Sequence, residues 1–244
     1  MWIECKKAIK CPMMIISSVI AFVILLRVFF LYNLFNTQMD YLTMLTYPLT
    51  LSGFLPFAAV FAVLPYAFSY LEEKNSGYVA YIITRSGKRK YITSKLLTVG
   101  LSGGVAEVLP FVLIAIVILI NGESVTVSDY PEVYIGRIWE TYMFMMGGKV
   151  VLLMRLVLIF MFGIFWAEVA LLISVLYSNR YVVFVVTFVC SQFMWMILPP
   201  GINMFYLFRA DFSRETMHIY TPYLIECVYI LMVCVVTYIL IKKD

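Results

Sequence analysis

The sequence predicts an all-α membrane protein with six transmembrane helices. Three observations predict it. The 244-residue chain is 64% hydrophobic and only 13% charged, whereas an ordinary soluble domain is about 45–50% apolar and about 25% charged. Six apolar runs approach or exceed the roughly 20 residues that carry a helix across a bilayer. The basic residues collect in alternate connections between those runs. This composition excludes a soluble globular enzyme and a disordered chain. It also excludes a short disulfide-stapled secreted module.

The runs fall at 12–32, 49–70, 96–120, 150–177, 181–198 and 222–241, and the chain 1–244 reads as a single transmembrane domain. Segment 1–11 mixes Trp2, Ile3, Ala8 and Ile9 with Lys6, Lys7 and Lys10, which suits a helix lying on an anionic membrane surface. The plain alternative is a charged tail that only sets orientation. The first run is too long for a cleavable signal peptide, and no small-residue cleavage site follows it. The fourth run holds Arg155 at its soft outer boundary, and the fifth ends at Pro199-Pro200. Segment 121–149 opens on the turn-forming Asn121-Gly122 and continues into an amphipathic stretch, 132–146, whose Trp139 and Tyr142 suit the membrane interface. Segment 199–221 mixes Pro, Gly, aromatics and charges, and is expected to dip toward the membrane with its backbone buried by protein.

Orientation follows from charge. With both termini in the cytoplasm, twelve basic residues lie inside and five outside, with Arg27 left within a span. Asp40, Glu123, Asp129, Glu132, Glu140, Asp211 and Glu215 then all lie outside. This predicts a multi-pass protein of the plasma membrane. The five cysteines form no CxxC pair and His218 is the lone histidine, so neither a zinc site nor a Cys-His pair is indicated. The cysteines read as small buried hydrophobes.

The inside link 71–95 carries the strongest functional signal. The second run continues as helix through Glu72 and Glu73 until Asn75-Ser76-Gly77 breaks it. Tyr78, Tyr81 and Ile82 then share one face of a short amphipathic helix, 78–84. Arg85-Ser86-Gly87 ends that helix, with Ser86 placed to cap the next one. Lys88, Arg89, Lys90 and Lys95 ring the start of the third run. A short helix between two spans, flanked by fixed charges, can take force from a soluble partner whose cleft receives its apolar face. The plain alternative is a surface loop carrying charges that set orientation.

Four charges fall inside the runs: Arg27, Glu107, Glu168 and Glu226. Each costs about 2.5–3.5 kcal/mol or more at mid-bilayer unless it faces protein or water. Arg27 and Glu226 lie at similar depth, which allows a structural ion pair. Glu107 and Glu168 lie near mid-depth, where they either hydrogen-bond to neighbouring side chains or line a route for a cationic cargo. Gly100 and Gly104 form a G-x-x-x-G pattern that permits close helix approach, a pattern common by chance. No G-x-x-x-x-G-K-[ST] loop is present.

Glu72-Glu73, Gly77, Arg85, Arg89, Tyr91 and Lys95 together resemble the membrane (permease) subunit of a type-2, exporter-class ATP-binding-cassette transporter. The turn Ser178-Asn179-Arg180 is similar to that family's link between spans four and five. Lys74 stands where the family's usual Glu-Arg pair has arginine. The resemblance implies an amino-terminal interfacial elbow helix at 1–11 and a cytoplasmic coupling helix between spans two and three. It implies that Glu72, Glu73, Gly77, Tyr78, Tyr81, Ile82, Arg85 and Arg89 couple to a separate ATPase subunit. The permease would be non-catalytic and pair with a second permease copy, identical or not. ATP and magnesium would sit on the partner, no cofactor in this chain, and no nucleic acid would be involved. Export of a peptide, lipid, drug or ion is the implied activity. Two other readings stay open: an intramembrane protease or lipid-modifying enzyme, and a membrane binding or immunity protein with no energy input.

Overall fold

A computed structural model describes residues 7–8, 11–34, 41–121, 139, 142, 146–209 and 218–243. The described residues are helical, with five helices long and apolar enough to cross a membrane, and six spans if one bent pair counts as one. Helix α1 is Pro12–Leu31, α2 is Tyr41–Leu51, α3 is Ala58–Val63, α4 is Ser69–Asn75 and α5 is Tyr78–Ser86. Helix α6 is Lys88–Asn121, α7 is Gly148–Leu176, α8 is Arg180–Ile197, α9 is Met204–Arg209 and α10 is Thr221–Lys243. The proposed elbow at 1–11 lies almost wholly outside the described residues, as does most of the amphipathic stretch 132–146.

The second apolar run, expected as one span over 49–70, is not a straight helix. Met44–Leu51 and Leu55–Val63 meet at a bend of 75°. The cause is local chemistry. Pro48 sits inside α2, Gly53 takes a positive φ of 71°, and Pro56 opens the short 3-10 turn Leu55–Phe57. Proline removes a helical donor and glycine permits the left-handed turn. The break is stitched by protein: Ser52 Oγ accepts from the Phe54 amide at 3.1 Å, and Gln192 Nε2 of α8 donates to the Pro56 carbonyl at 2.7 Å. A second irregularity spans Leu64–Phe68, around Pro65, before α4 resumes.

Helices α6 and α7 form the antiparallel centre of the bundle. Their approach is set by glycine. A methyl group built on Gly103 would fall onto the Ala167 side chain and lie 2.9 Å from the Gly163 carbonyl. One on Gly163 would lie 2.7 Å from Glu107 Cβ and from the Gly103 carbonyl. Backbone therefore meets backbone, which maximises dispersion contact where lipid offers no hydrophobic drive between helices. Ser18 of α1 ties to the same pair, its hydroxyl donating to the Ala106 carbonyl at 3.1 Å.

The larger core cluster packs α1, α2, α3, α6, α7 and α9 around Phe54, Phe111, Phe162, Trp166, Phe205 and Phe208. Phe162 and Phe208 lie 4.3 Å apart, and Phe111 meets Phe208 edge-on at 5.8 Å. A second cluster at the basic end joins Tyr70, Tyr91, Ile92, Leu171, Val175 and Ile241. Helices α8 and α10 turn many large apolar side chains outward, including Phe193, Met196, Leu224 and Leu231. That is the surface a bilayer or a neighbouring helix bundle covers.

The segment after α8 turns back into the bundle. Asn203, fully buried, donates through Nδ2 to the carbonyls of Met194, Trp195 and Leu198 at 3.2, 2.9 and 3.1 Å. Its Oδ1 accepts from the Phe205 amide at 3.0 Å. One side chain thus ends α8 and starts α9, satisfying carbonyls and an amide that the bundle buries. At the other end of α9, Arg155 Nη2 donates to the carbonyls of Phe208 and Arg209 at 3.1 and 3.0 Å. Trp139, read from sequence as an interface residue, is instead buried, with the Arg155 guanidinium 5.5 Å from its ring.

Candidate functional site

The basic end of the bundle is built by α4, α5 and the first turns of α6. Gly77 and Gly87 bracket α5 with φ of 71° and 84°, a backbone region that side chains disfavour. The chain can therefore turn sharply at both ends and set a nine-residue helix apart from its neighbours. No residue of α5 is fully buried. Tyr78 and Tyr81 are exposed, their rings 5.7 Å apart. Ile82, predicted to share their face, turns partly inward with Val79 and Ile83 onto the Tyr70–Tyr91 cluster. Ser86 does not cap the next helix: its hydroxyl donates back to the Ile82 carbonyl at 2.8 Å, and Gly87 separates it from α6.

The base of this helix is braced from below. Glu73 of α4 accepts from Lys95 Nζ at 2.8 Å and from the Tyr91 hydroxyl at 2.7 Å. Lys95 is 1% exposed, Glu73 13%. The Lys95 ammonium also lies 5.1 Å from the Tyr66 ring centroid. Asn75 Nδ2 donates to the Ser178 carbonyl at 3.1 Å and Lys74 Nζ to the Val175 carbonyl at 3.5 Å, tying α4 to the turn after α7. Asn179 in that turn starts α8 by accepting from the Tyr181 amide at 2.9 Å. Glu73 is therefore an internal strut, whereas Glu72, Arg85 and Arg89 are exposed.

Breaking one partner of a charged, hydrogen-bonded and mostly buried pair costs more than the pair contributes. Glu73→Gln is expected to lower thermal stability of the purified protein by about 1–3 kcal/mol. Adding Lys95→Met should recover part of that loss, because the uncompensated ammonium is gone; two equal single and double losses would refute the strut.

The four intramembrane charges separate into distinct environments. Glu107 is fully buried beside Gly163, with no hydrogen-bond partner for either carboxyl oxygen. Glu168 is buried beside Gly100 and in contact with the Cys234 side chain of α10. These two carboxyls sit on opposite sides of the Gly103–Gly163 crossing, roughly 8–10 Å apart along the helix axes at 1.5 Å per residue. They do not converge on one point. The Arg27–Glu226 ion pair is not formed. Arg27 is exposed on the outer face of α1, whereas Glu226 is fully buried. The cation acting on Glu226 is Arg155. Equal depth did not bring Arg27 inward, because α1 buries Leu25, Val28 and Phe29 instead. Arg155 and Asn203 were not singled out as anchors by spacing alone; the signal available for Arg155 was a charge inside an apolar run.

Among the described residues, no group of three His, Cys, Asp or Glu side chains could hold a metal ion. The chain matches no protein-family model, no curated protein and no solved structure.

Proposed function

We propose that this chain is the permease subunit of an ATP-driven exporter of the ATP-binding-cassette type, working as a pair and driven by a separate ATPase subunit. The observation that carries the reading is α5: a short helix set off by two positive-φ glycines, presenting an exposed Tyr78–Tyr81 pair above a braced base. An exposed aromatic pair on a rigid mount suits insertion into a protein cleft. Force applied to α5 would pass through Glu73, Tyr91 and Lys95 into α6, and through Asn75 into the α7–α8 turn. Glu72, Arg85 and Arg89 would set the partner's register. The termini and α5 would face the cytoplasm of a plasma-membrane protein. Cargo would be a peptide, lipid, drug or ion, with Glu107 and Glu168 on or beside its route. The enzyme alternative needs convergent catalytic groups, and the separation of Glu107 from Glu168 gives it no support.

A photo-reactive residue at position 81, in native membranes, should crosslink to a nucleotide-binding protein that azido-ATP also labels. Tyr78→Asp with Tyr81→Asp should lower co-purification of that protein by tenfold or more, since exposed aromatic anchors dominate such interfaces. Crosslinks to lipid alone, or co-purification insensitive to the double substitution, would refute the reading.

A further inference from the structure

Beneath α5 lies a cavity of about 450 Å³, lined by Lys7, Tyr81, Arg85, Lys90, Tyr91 and Lys95, with Tyr78, Ile82, Ser86 and Ser94 completing the wall. Among the described residues, four basic side chains line it and no acidic one does. Lys95 is shared with Glu73, so the positive charge on this wall comes mainly from the exposed Arg85 and Lys90. Hydroxyls of Tyr81 and Ser94 line the same space, whereas those of Tyr91 and Ser86 already donate to Glu73 and to the Ile82 carbonyl. This is the donor chemistry that recognises a phosphodiester: point charges and a guanidinium for the anion, neutral donors around it.

Depth and the surface below it identify the source of that phosphate. Lys90 lies six residues before Leu96, where the apolar run begins, or roughly 9 Å along the helix. Tyr91, Ser94 and Lys95 lie closer still. That is about the depth of the headgroup layer, which occupies some 5–8 Å on each side of the hydrocarbon. On α6, Lys90 and Ser94 point along the same face as Leu97, Leu101, Val105 and Val112 by helical periodicity. All four of these apolar side chains are exposed. The wall of the basic cavity formed by Lys90 and Ser94 therefore shares a helix face with an exposed apolar stripe. A free phosphate or an acidic peptide would use only the first, whereas a phospholipid uses both at once.

We infer that an anionic phospholipid binds here, its headgroup in the cavity between α5 and α6 and an acyl chain along the Leu97–Val112 face of α6. The inference is independent of the transporter reading, since it needs no ATPase. A bound headgroup would fill the space between α5 and its mount, so the lipid would stiffen the helix against the bundle. Basic pockets of this kind between helices select anionic headgroups.

The test uses the full chain in detergent, titrated with a short-chain phosphatidylglycerol or with phosphatidylcholine of the same chain length, bound lipid being counted by native mass spectrometry. One phosphatidylglycerol should be retained in preference to phosphatidylcholine by tenfold or more. Arg85→Gln with Lys90→Gln, both exposed and so tolerable to the fold, should weaken its retention roughly thirtyfold. Leu101→Glu should weaken it as well, by opposing the chain. Equal retention of the two lipids, or unchanged retention in both variants, overturns the assignment. So does displacement of phosphatidylglycerol by inorganic phosphate at the same concentration, which would mean the cavity reads phosphate without a chain.

Discussion

Gly103→Leu is expected to prevent accumulation of folded protein, and Gly103→Ala to destabilise it by more than about 3 kcal/mol. A methyl group at this position has nowhere to go: it falls onto Ala167 and lies 2.9 Å from the carbonyls of Ala62 and Gly163. Two of those three obstacles are backbone, which cannot swing aside. Overpacking in a well-packed interior costs typically 1–3 kcal/mol, and an obstacle of backbone pushes the cost to the upper end and beyond. Gly100→Ala provides the control. Its new methyl would meet the tips of Glu168 and Ile164 at 2.9 and 3.2 Å, and both side chains can shift. Its loss should stay under about 1.5 kcal/mol. Thermal unfolding in one detergent, with monodispersity measured by size exclusion, compares the two directly. Equal losses at Gly100 and Gly103 would mean that backbone contact does not set the α6–α7 crossing.

Arg155→Met should cost about 3–5 kcal/mol, because it removes a buried cation together with the hydrogen bonds it donates to buried carbonyls. The arginine is 1% exposed and closes the carbonyls of Phe208 and Arg209 at the end of α9. Its removal leaves those carbonyls without the donor that buried backbone requires and takes away the positive charge that acts on Glu226. Combining Arg155→Met with Glu226→Gln should return part of the loss, because the two sites share one electrostatic environment and their effects are not additive. Limited proteolysis between α9 and α10 offers a second readout: cleavage should rise in Arg155→Met and not in Arg27→Met. Similar behaviour of the two arginine variants would sink the anchor role.

Most of the spans were legible from hydropathy, because lipid demands long apolar runs whatever the fold. The bend in the second run was not, although its signals stood in plain view. Pro48 precedes it and Gly53, Pro56 and Pro65 punctuate it, but a hydropathy window averages over them and registers only an apolar total. The amphipathic helix after Gly77 was legible from periodicity, and its glycine borders from composition. Which of its apolar residues face outward was not. Tyr78 and Ile82, four residues apart, lie about 40° apart on the helical wheel, yet the packing of Tyr70 and Tyr91 claims one and leaves the other exposed.

The same division holds for the charges. A cation inside an apolar run must find a partner or water, and the sequence alone establishes that obligation for Arg27 and Arg155 alike. Depth suggested Arg27 for Glu226, but the cation that acts on Glu226 is Arg155, because α7 is the buried centre of the bundle and α1 is more exposed. Hydrophobicity, span length and charge asymmetry are properties of the chain itself, since each residue carries its transfer free energy wherever it goes. Partner choice belongs to the tertiary structure. It depends on which helix faces turn toward each other, and here two glycines, Gly103 and Gly163, decide that by letting backbones touch where any side chain would hold them apart.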